Sequence, residues 1–476
     1  MQGLKKKTIK GVVWSGVETF ATSALNFIFS ILLARILMPE DFGTIAILAF
    51  FMQLAQIFVD SGLSNALIRK QNRSIEDEST AFWSNIAIGL IAYVFIFIFA
   101  PYIAEFYNIP TLTEITRIYA IVIILNSFSV VHRAIISSNL NFKLLTKISL
   151  TSSIVSGIIA LCFAVYGLGI WTLVILNAVS SAISTLLLWF YNRWKPKLIF
   201  SLKSFKEMFG FGYKLLFSGL IDTTFNNLYS LIIGKIFSPL SLGYYSKADS
   251  LSGYPARSIT HMIQRATYPS LSKLQSNDQS LELNYRKILR LSAYIIFPIM
   301  IGISAIADPL IQLLLTDKWN DTTILLQLLC LSFMWYPIHA LNLNLLQVKG
   351  RSDLFLKLEI IKKIVGLTIL IATIPFGIVW ICIGRVFNSM IALIINTYYT
   401  GKLINVKLSK QITDILSSLI NALVMGVICY LSLFLSNILW LKVILAVIIG
   451  FIYYFCSSFI TKSKELNEII LILKNK

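Results

Sequence analysis

The sequence predicts an all-α integral membrane protein of about fourteen transmembrane helices, set out as two six-helix lobes related by an internal repeat, with two further helices at the carboxyl end. Three observations carry this. Of 476 residues, 57% are hydrophobic and 13% charged, and the mean hydropathy is +0.78, a composition outside the range of soluble globular domains. Apolar runs of about 20 residues, the length that crosses a bilayer, recur along the chain. One pattern of polar, Pro and Gly residues returns at a constant offset of 200 positions.

That repeat puts Asn26 on Asn226, Ser30 on Ser230, Arg35 on Lys235, Pro39 on Pro239 and Gly43 on Gly243. Each copy is an apolar helix ending in a cation, followed by a Pro-x-x-x-Gly turn into the next apolar run. Pro cannot continue a helix and Gly frees the turn, so each copy reads as a helical hairpin. A second echo pairs YGLGIWTLVI at 166–175 with PFGIVWICIG at 375–384, each a Gly turn with an interfacial Trp. Two matching halves are the sequence mark of a transporter built from repeats. The lobes are residues 1–200 and 201–405, and 406–476 hold the two added helices and a tail.

The spans fall near 12–37, 42–68, 81–104, 114–138, 147–167, 169–191, 207–237, 242–269, 288–312, 322–347, 357–376, 378–400, 412–436 and 439–461. The eighth is the most polar. Lys and Arg gather on alternate connections, as in Arg69, Lys70 and Arg73, and again in Arg193, Lys195, Lys197, Lys203 and Lys206, whereas the opposite side holds Lys318 and Lys442. By the positive-inside rule both termini are cytoplasmic, and dropping the eighth span would invert every later loop. The amino-terminal MQGLKKKTIKGVVW runs into a span interrupted by Glu18 and Asn26 without a small-residue cleavage site, so the first helix is expected to stay in the mature cytoplasmic-membrane protein.

The formal charge of +19 does not point to nucleic acid, because the cations flank apolar runs. Cys162, Cys330, Cys382, Cys429 and Cys456 stand singly, and His132, His261 and His339 are far apart, so no disulfide framework or metal site is expected. No P-loop or Gly-rich nucleotide fingerprint occurs, which argues against direct use of ATP. The short outer connections, the longest around 101–113, leave little room for the catalytic domain of a membrane glycosyltransferase or polymerase. No enzymatic residues and no cofactor are expected, beyond coupling to protons or sodium.

Polar stripes mark the interior. Span one carries Glu18, Thr22, Asn26 and Ser30, span seven carries Ser218, Asp222, Asn226 and Ser230, and span two adds Gln53, Gln56 and Asp60. Four-residue spacing keeps such side chains near one face. Ionisable groups are costly in a bilayer unless they meet water or a partner, so Glu18, Asp60 and Asp222 are candidates for ion coupling, while interhelical hydrogen bonding is the plainer use of the Asn and Ser positions. In span eight Lys247, Tyr254, Arg257, His261 and Arg265 recur at helical intervals. This cationic stripe suits an anion crossing the membrane, since the arginine fork matches phosphate oxygens. Snorkelling accounts readily for Lys247 and Arg265 and poorly for Arg257, whose structural alternative is an ion pair with Asp60 or Asp222. Arg385, eight residues into span twelve, suits either a cavity wall or a pair with an acid.

MPEDFGTIAILAFFMQLAQIFVDSGLSNALIRK at 38–70, HMIQRATYPSLSKLQ at 261–275 and TDKWNDTTILLQLLCLS at 316–332 resemble the polysaccharide transporter family, the Wzx-type flippases of the multidrug/oligosaccharidyl-lipid/polysaccharide superfamily. The resemblance implies twelve core helices in two lobes around a cavity. It also implies a substrate, an oligosaccharide linked through diphosphate to a polyprenyl lipid, moved to the outer leaflet for surface polysaccharide assembly alongside polymerase and assembly proteins. In that frame Arg257, His261, Arg265, Lys247 and Tyr254 serve the diphosphate, and Asn26, Asn226, Gln53 and Gln56 the sugar. A drug or cation antiporter of the same superfamily is the alternative within the class. Its cationic cargo would favour an acidic interior over this basic stripe.

Overall fold

The computed structural model describes residues 2–70 and 72–474. Met1 and the last two residues, which belong to the ends assigned to the cytoplasm, lie outside the described residues. No strand occurs among the described residues. Eleven helical runs among them are long and apolar enough to cross a membrane.

Residues 1–243 form one compact unit. It holds α1 (Gln2–Ile36), α2 (Pro39–Asp60), α3 (Leu63–Arg69), α4 (Ile75–Tyr107), α5 (Leu112–Tyr119), α6 (Ile121–Ser127), α7 (Val130–Ser138), α8 (Phe142–Val165), α9 (Trp171–Tyr191) and α10 (Leu202–Ile236). Pro39 opens α2, where its missing N–H costs nothing, and the Asp41 carboxylate accepts the Met38 N–H at 3.0 Å. Ser61 and Gly62 take left-handed φ values of 44° and 67°, which breaks the second expected span into α2 and α3. Ser74 and Asp77 close a reciprocal cap on α4: the Asp77 N–H donates to Ser74 Oγ at 3.2 Å, and the Ser74 N–H to Asp77 Oδ2 at 2.9 Å. The fourth expected span, 114–138, is built from α5, α6 and α7 in series, a run that is apolar over 112–138. Ser127 and Ser129 donate to the Ile124 and Asn126 carbonyls at its second break.

Within this unit α1 packs on α8 and α8 on α9. Helix α10, which the sequence reading places at the start of the second lobe, packs on α2, α3 and α4. Gly62 and Gly212 permit that approach, since a Cβ on Gly212 would meet the Gly62 carbonyl carbon at 3.1 Å. The repeated hairpins also touch. A Cβ on Gly43 would run into the Pro239 carbonyl, and one on Gly243 into the Pro39 carbonyl. Fully buried Phe82 anchors a core in which Trp83, Phe128, Trp189 and Trp194 surround its ring edge to face.

Residues 244–476 form the second unit. It contains most of α11 (Pro239–Ser272), then α12 (Asp278–Ala305), α13 (Ala307–Leu315), α14 (Thr322–Phe333), α15 (Tyr336–Val348), α16 (Ser352–Thr373), α17 (Ile378–Ile404), α18 (Leu408–Ser432), α19 (Leu439–Ile460) and α20 (Lys464–Lys474). Helices α10, α11 and α16 cover the three remaining expected spans and are not among the eleven runs long and apolar enough to cross. Helix α12 packs along α18, α18 on α19, and α17 against α14, α15 and α16. A bidentate pair from Arg286 to Asp414, at 2.7 and 2.8 Å, fastens α12 to α18. Buried amides and a hydroxyl join α15, α17 and α18: Thr400 donates to Asn342 Oδ1 at 2.6 Å, and Asn342 and Gln411 exchange hydrogen bonds at 3.1 Å.

Rows of apolar side chains remain exposed, among them Ile91, Val94, Phe95 and Ile98 on α4 and Phe451, Phe455 and Phe459 on α19. Water would penalise such rows, whereas hydrocarbon accepts them, and helices satisfy their own backbone groups there.

Candidate functional site

The first unit holds an open cavity of about 590 Å³ lined by both polar and apolar side chains. Helix α2 presents Gln53, Gln56 and Asp60 to it at intervals of three and four, one helical face. Asn227 of α10 donates to Gln53 Oε1 at 3.1 Å, and Asn126 of α6 donates to Gln56 Oε1 at 2.9 Å. Ser64 donates to the Asp60 carboxylate. Ser129 just before α7, Arg133 and Ser137 of α7 and Thr223 of α10 add further polar lining. Amides, hydroxyls, one carboxylate and one guanidinium form a donor and acceptor set suited to a polyhydroxylated ligand.

Three expected residues, Gln53, Gln56 and Asp60, are thus brought together. The cavity adds Asn126, Ser129 and Arg133, whose spacing of three and four along 126–133 was a readable signal. Arg133 falls near a span end in the sequence, yet the break between α6 and α7 turns it to the cavity. On α10 the lining residue is Thr223, and Asn227 reaches Gln53, while Asp222 and Asn226 are exposed. Asn26 is exposed on α1, and Glu18 accepts a hydrogen bond from Ser149 of α8 at 2.8 Å. At one end of the unit the Lys70 ammonium donates to Asp77 at 3.0 Å and Glu207 at 3.1 Å, and these bonds hold its pKa above the ordinary lysine value.

The second unit carries a cluster of charge inside its helices. Asp249 of α11 accepts from two arginines, one on each oxygen: Arg257 Nη2 at 2.9 Å on Oδ2 and Arg385 Nη1 at 2.6 Å on Oδ1. Arg257 and Asp249 lie eight residues apart on the same helix. The residue between them, one turn from each, is Gly253, and a Cβ there would stand 3.1 Å from the Arg257 guanidinium. Glycine opens the lane along which Arg257 lies. Both guanidinium groups stack near the Phe333 ring, Arg257 at 5.2 Å and Arg385 at 5.1 Å from its centroid. Arg385 also donates to the Tyr245 hydroxyl at 2.6 Å.

Two guanidinium groups on one carboxylate leave a local excess of positive charge. Arg257 therefore pairs with Asp249 rather than with the Asp60 or Asp222 considered from the sequence, and Arg385, open between two roles, joins the same pair. Lys247 is buried, 5.4 Å over the Trp319 ring, rather than snorkelled. Tyr254 is half-buried, and His261 and Arg265 are exposed further along α11. Among the described residues no three His, Cys, Asp or Glu side chains gather as a metal site.

The model of a family described as polysaccharide biosynthesis protein matches residues 32–324. The chain is 26% identical over 477 residues to the uncharacterized membrane protein in the cps region of Klebsiella pneumoniae, covering 98% of this chain and 97% of that one. It is 26% identical over 397 residues to the lipopolysaccharide biosynthesis protein WzxC of Escherichia coli (strain K12), covering 83% and 80%. Among solved structures, the lipid II flippase MurJ in its inward closed conformation superposes with a TM-score of 0.74 at 17% identity, covering 95% of this chain and 99% of that one. This last likeness shows a shared fold.

Proposed function

The chain belongs to the polysaccharide biosynthesis protein family, and from that premise we propose that it is a flippase for polyprenyl-diphosphate-linked oligosaccharide. It would carry repeat units from the cytoplasmic to the outer leaflet of the cytoplasmic membrane for surface polysaccharide assembly. The observation that carries this reading is the Arg257–Asp249–Arg385 cluster, an excess of cation among membrane helices. Its arginine forks suit a diphosphate, the part of the substrate hardest to move through hydrocarbon. The cavity lined by Gln53, Gln56, Asp60 and Arg133 offers sugar its hydroxyl, amide and charged partners.

Transport would proceed by alternating access of two lobes, residues 1–200 and 201–405, with 406–476 added. Fourteen crossings with both termini in the cytoplasm belong to the same proposal. So does coupling to protons or sodium through Glu18, Asp60 or Asp222. Asp60 is the one of these that lines the cavity. Polysaccharide polymerase and assembly proteins would receive the product. The chemistry is movement of an intact lipid, so the proposal assigns no bond-breaking residue.

Substrate selection in proteoliposomes tests the reading. The purified chain should expose a fluorescent polyprenyl-diphosphate oligosaccharide to an outside quencher and leave a cationic dye where it is. Movement of the dye without the lipid would favour an antiporter instead.

A further inference from the structure

We infer that Asp249 is a built-in competitor of the substrate's diphosphate: it holds the same guanidinium N–H groups that the diphosphate needs, and so sets how tightly that anion is bound and how readily it leaves. The inference rests on the diphosphate assignment above and deepens it by naming the residue that tunes it.

Three features of the cluster lead there. The first is the match of acceptors. Asp249 gives one oxygen to each arginine, to Arg385 at 2.6 Å and to Arg257 at 2.9 Å. A phosphoryl group likewise offers a pair of adjacent anionic oxygens to arginine. The carboxylate therefore occupies the arginines with the geometry a phosphate would use.

The second is that the arginines have positions of their own. Phe333 lies under both guanidinium groups, Tyr245 accepts a hydrogen bond from Arg385, and the Gly253 lane seats Arg257. Removing the charge of Asp249 would leave these supports in place. A residue needed only to position the arginines would be redundant with them.

The third is access. The Arg257 side chain is 49% exposed whereas that of Asp249 is 24% exposed, so an anion meets the arginine before the acid. An arginine has five N–H donors, and Arg257 makes a single hydrogen bond to Asp249 among the described residues. An incoming diphosphate can therefore bond Arg257 first and displace the carboxylate afterwards. On departure Asp249 takes the N–H groups back, so Arg257 is not left without its acceptor among the helices, a state that is costly. A carrier needs binding strong enough to load and weak enough to release, and two arginines without a competitor would favour loading alone.

The test is a comparison of Asp249→Asn and Asp249→Glu with the wild-type full chain in nanodiscs, titrated with farnesyl diphosphate and, as controls, farnesol and inorganic diphosphate. Asn keeps the shape and removes the charge. It should bind farnesyl diphosphate about tenfold more tightly, the scale of one charge-assisted hydrogen bond. The maximal rate of lipid flipping should fall in the same variant, and Asp249→Glu should restore both quantities towards wild type. Unchanged or weaker binding by a folded Asp249→Asn protein would overturn the inference and leave Asp249 as a structural partner. Should Asp249→Asn not fold, infrared difference spectra of ¹³C-aspartate-labelled wild type decide. A shift of an arginine-paired carboxylate band on adding farnesyl diphosphate, absent from Asp249→Glu, supports displacement, and an unmoved band overturns it. Wild type that binds farnesyl diphosphate no better than farnesol would overturn both the diphosphate assignment and the inference built on it.

Discussion

Gly43 and Pro239, 196 residues apart, meet backbone to backbone at the first turns of α2 and α11, and Gly243 and Pro39 return the same contact. The sequence repeat is therefore also a contact, in which each hairpin lays its glycine on the other's proline. A Cβ on Gly43 would stand 2.8 Å from the Gly243 nitrogen, and backbone cannot move aside as a side-chain tip can. Gly43→Ala should destabilise the chain by about 1–3 kcal/mol, the cost of overpacking a tight site. Gly210 has open space around its missing Cβ, so Gly210→Ala should be neutral or slightly stabilising. Thermal unfolding of the two variants in detergent checks the contrast.

A second prediction separates the sugar from the diphosphate. Gln53 accepts from Asn227 and lines the first unit's cavity. Gln53→Leu should weaken binding of the full lipid-linked oligosaccharide by about 1 kcal/mol, or several-fold, as expected for losing one hydrogen-bonding side chain. Binding of farnesyl diphosphate, which has no sugar, should be unchanged. Equal losses for both ligands would remove Gln53 from sugar recognition.

Topology gives a third. Cysteines placed at Lys195, Asn277, Arg351 and Lys407 should react with membrane-impermeant thiol reagents only from the cytoplasmic side, and those at Asn108, Asn320 and Trp440 only from outside. Asn277 is the discriminating position, because it follows α11, the most polar of the expected spans. Labelling of Asn277 from outside would refute eight crossings before it.

Much of this architecture was legible because hydrophobic length and Pro and Gly punctuation are local signals. The hairpin at Pro39 and Gly43 could be read from a few residues, and its copy from a constant offset. The stripes were less secure. A four-residue spacing shows that side chains share a face but not which neighbour that face meets, and one position along a helix turns the face by about 100°. On α10 Thr223 lines the cavity and Asn227 contacts Gln53, each one position beyond the stripe. Asp249 could not be found by pattern. Its link to Arg257 spans two turns through a glycine, and its link to Arg385 spans 136 residues of chain. One straight span over 114–138 gives no reason for Asn126 and Arg133 to face the cavity, whereas three short helices in series bring both to it.

The most direct test of the central claim is the rate at which Arg257→Ala and Arg257→Lys, in proteoliposomes at matched amounts of folded protein, expose a fluorescent polyprenyl-diphosphate oligosaccharide to an outside quencher. Arg257→Ala should lose transport by about a hundredfold, as expected when one or two charge-assisted hydrogen bonds to a phosphate are removed. Arg257→Lys should recover only part of it, because a lysine keeps the charge and lacks the planar fork. Transport by Arg257→Ala at the wild-type rate would contradict the assignment of this arginine to the diphosphate.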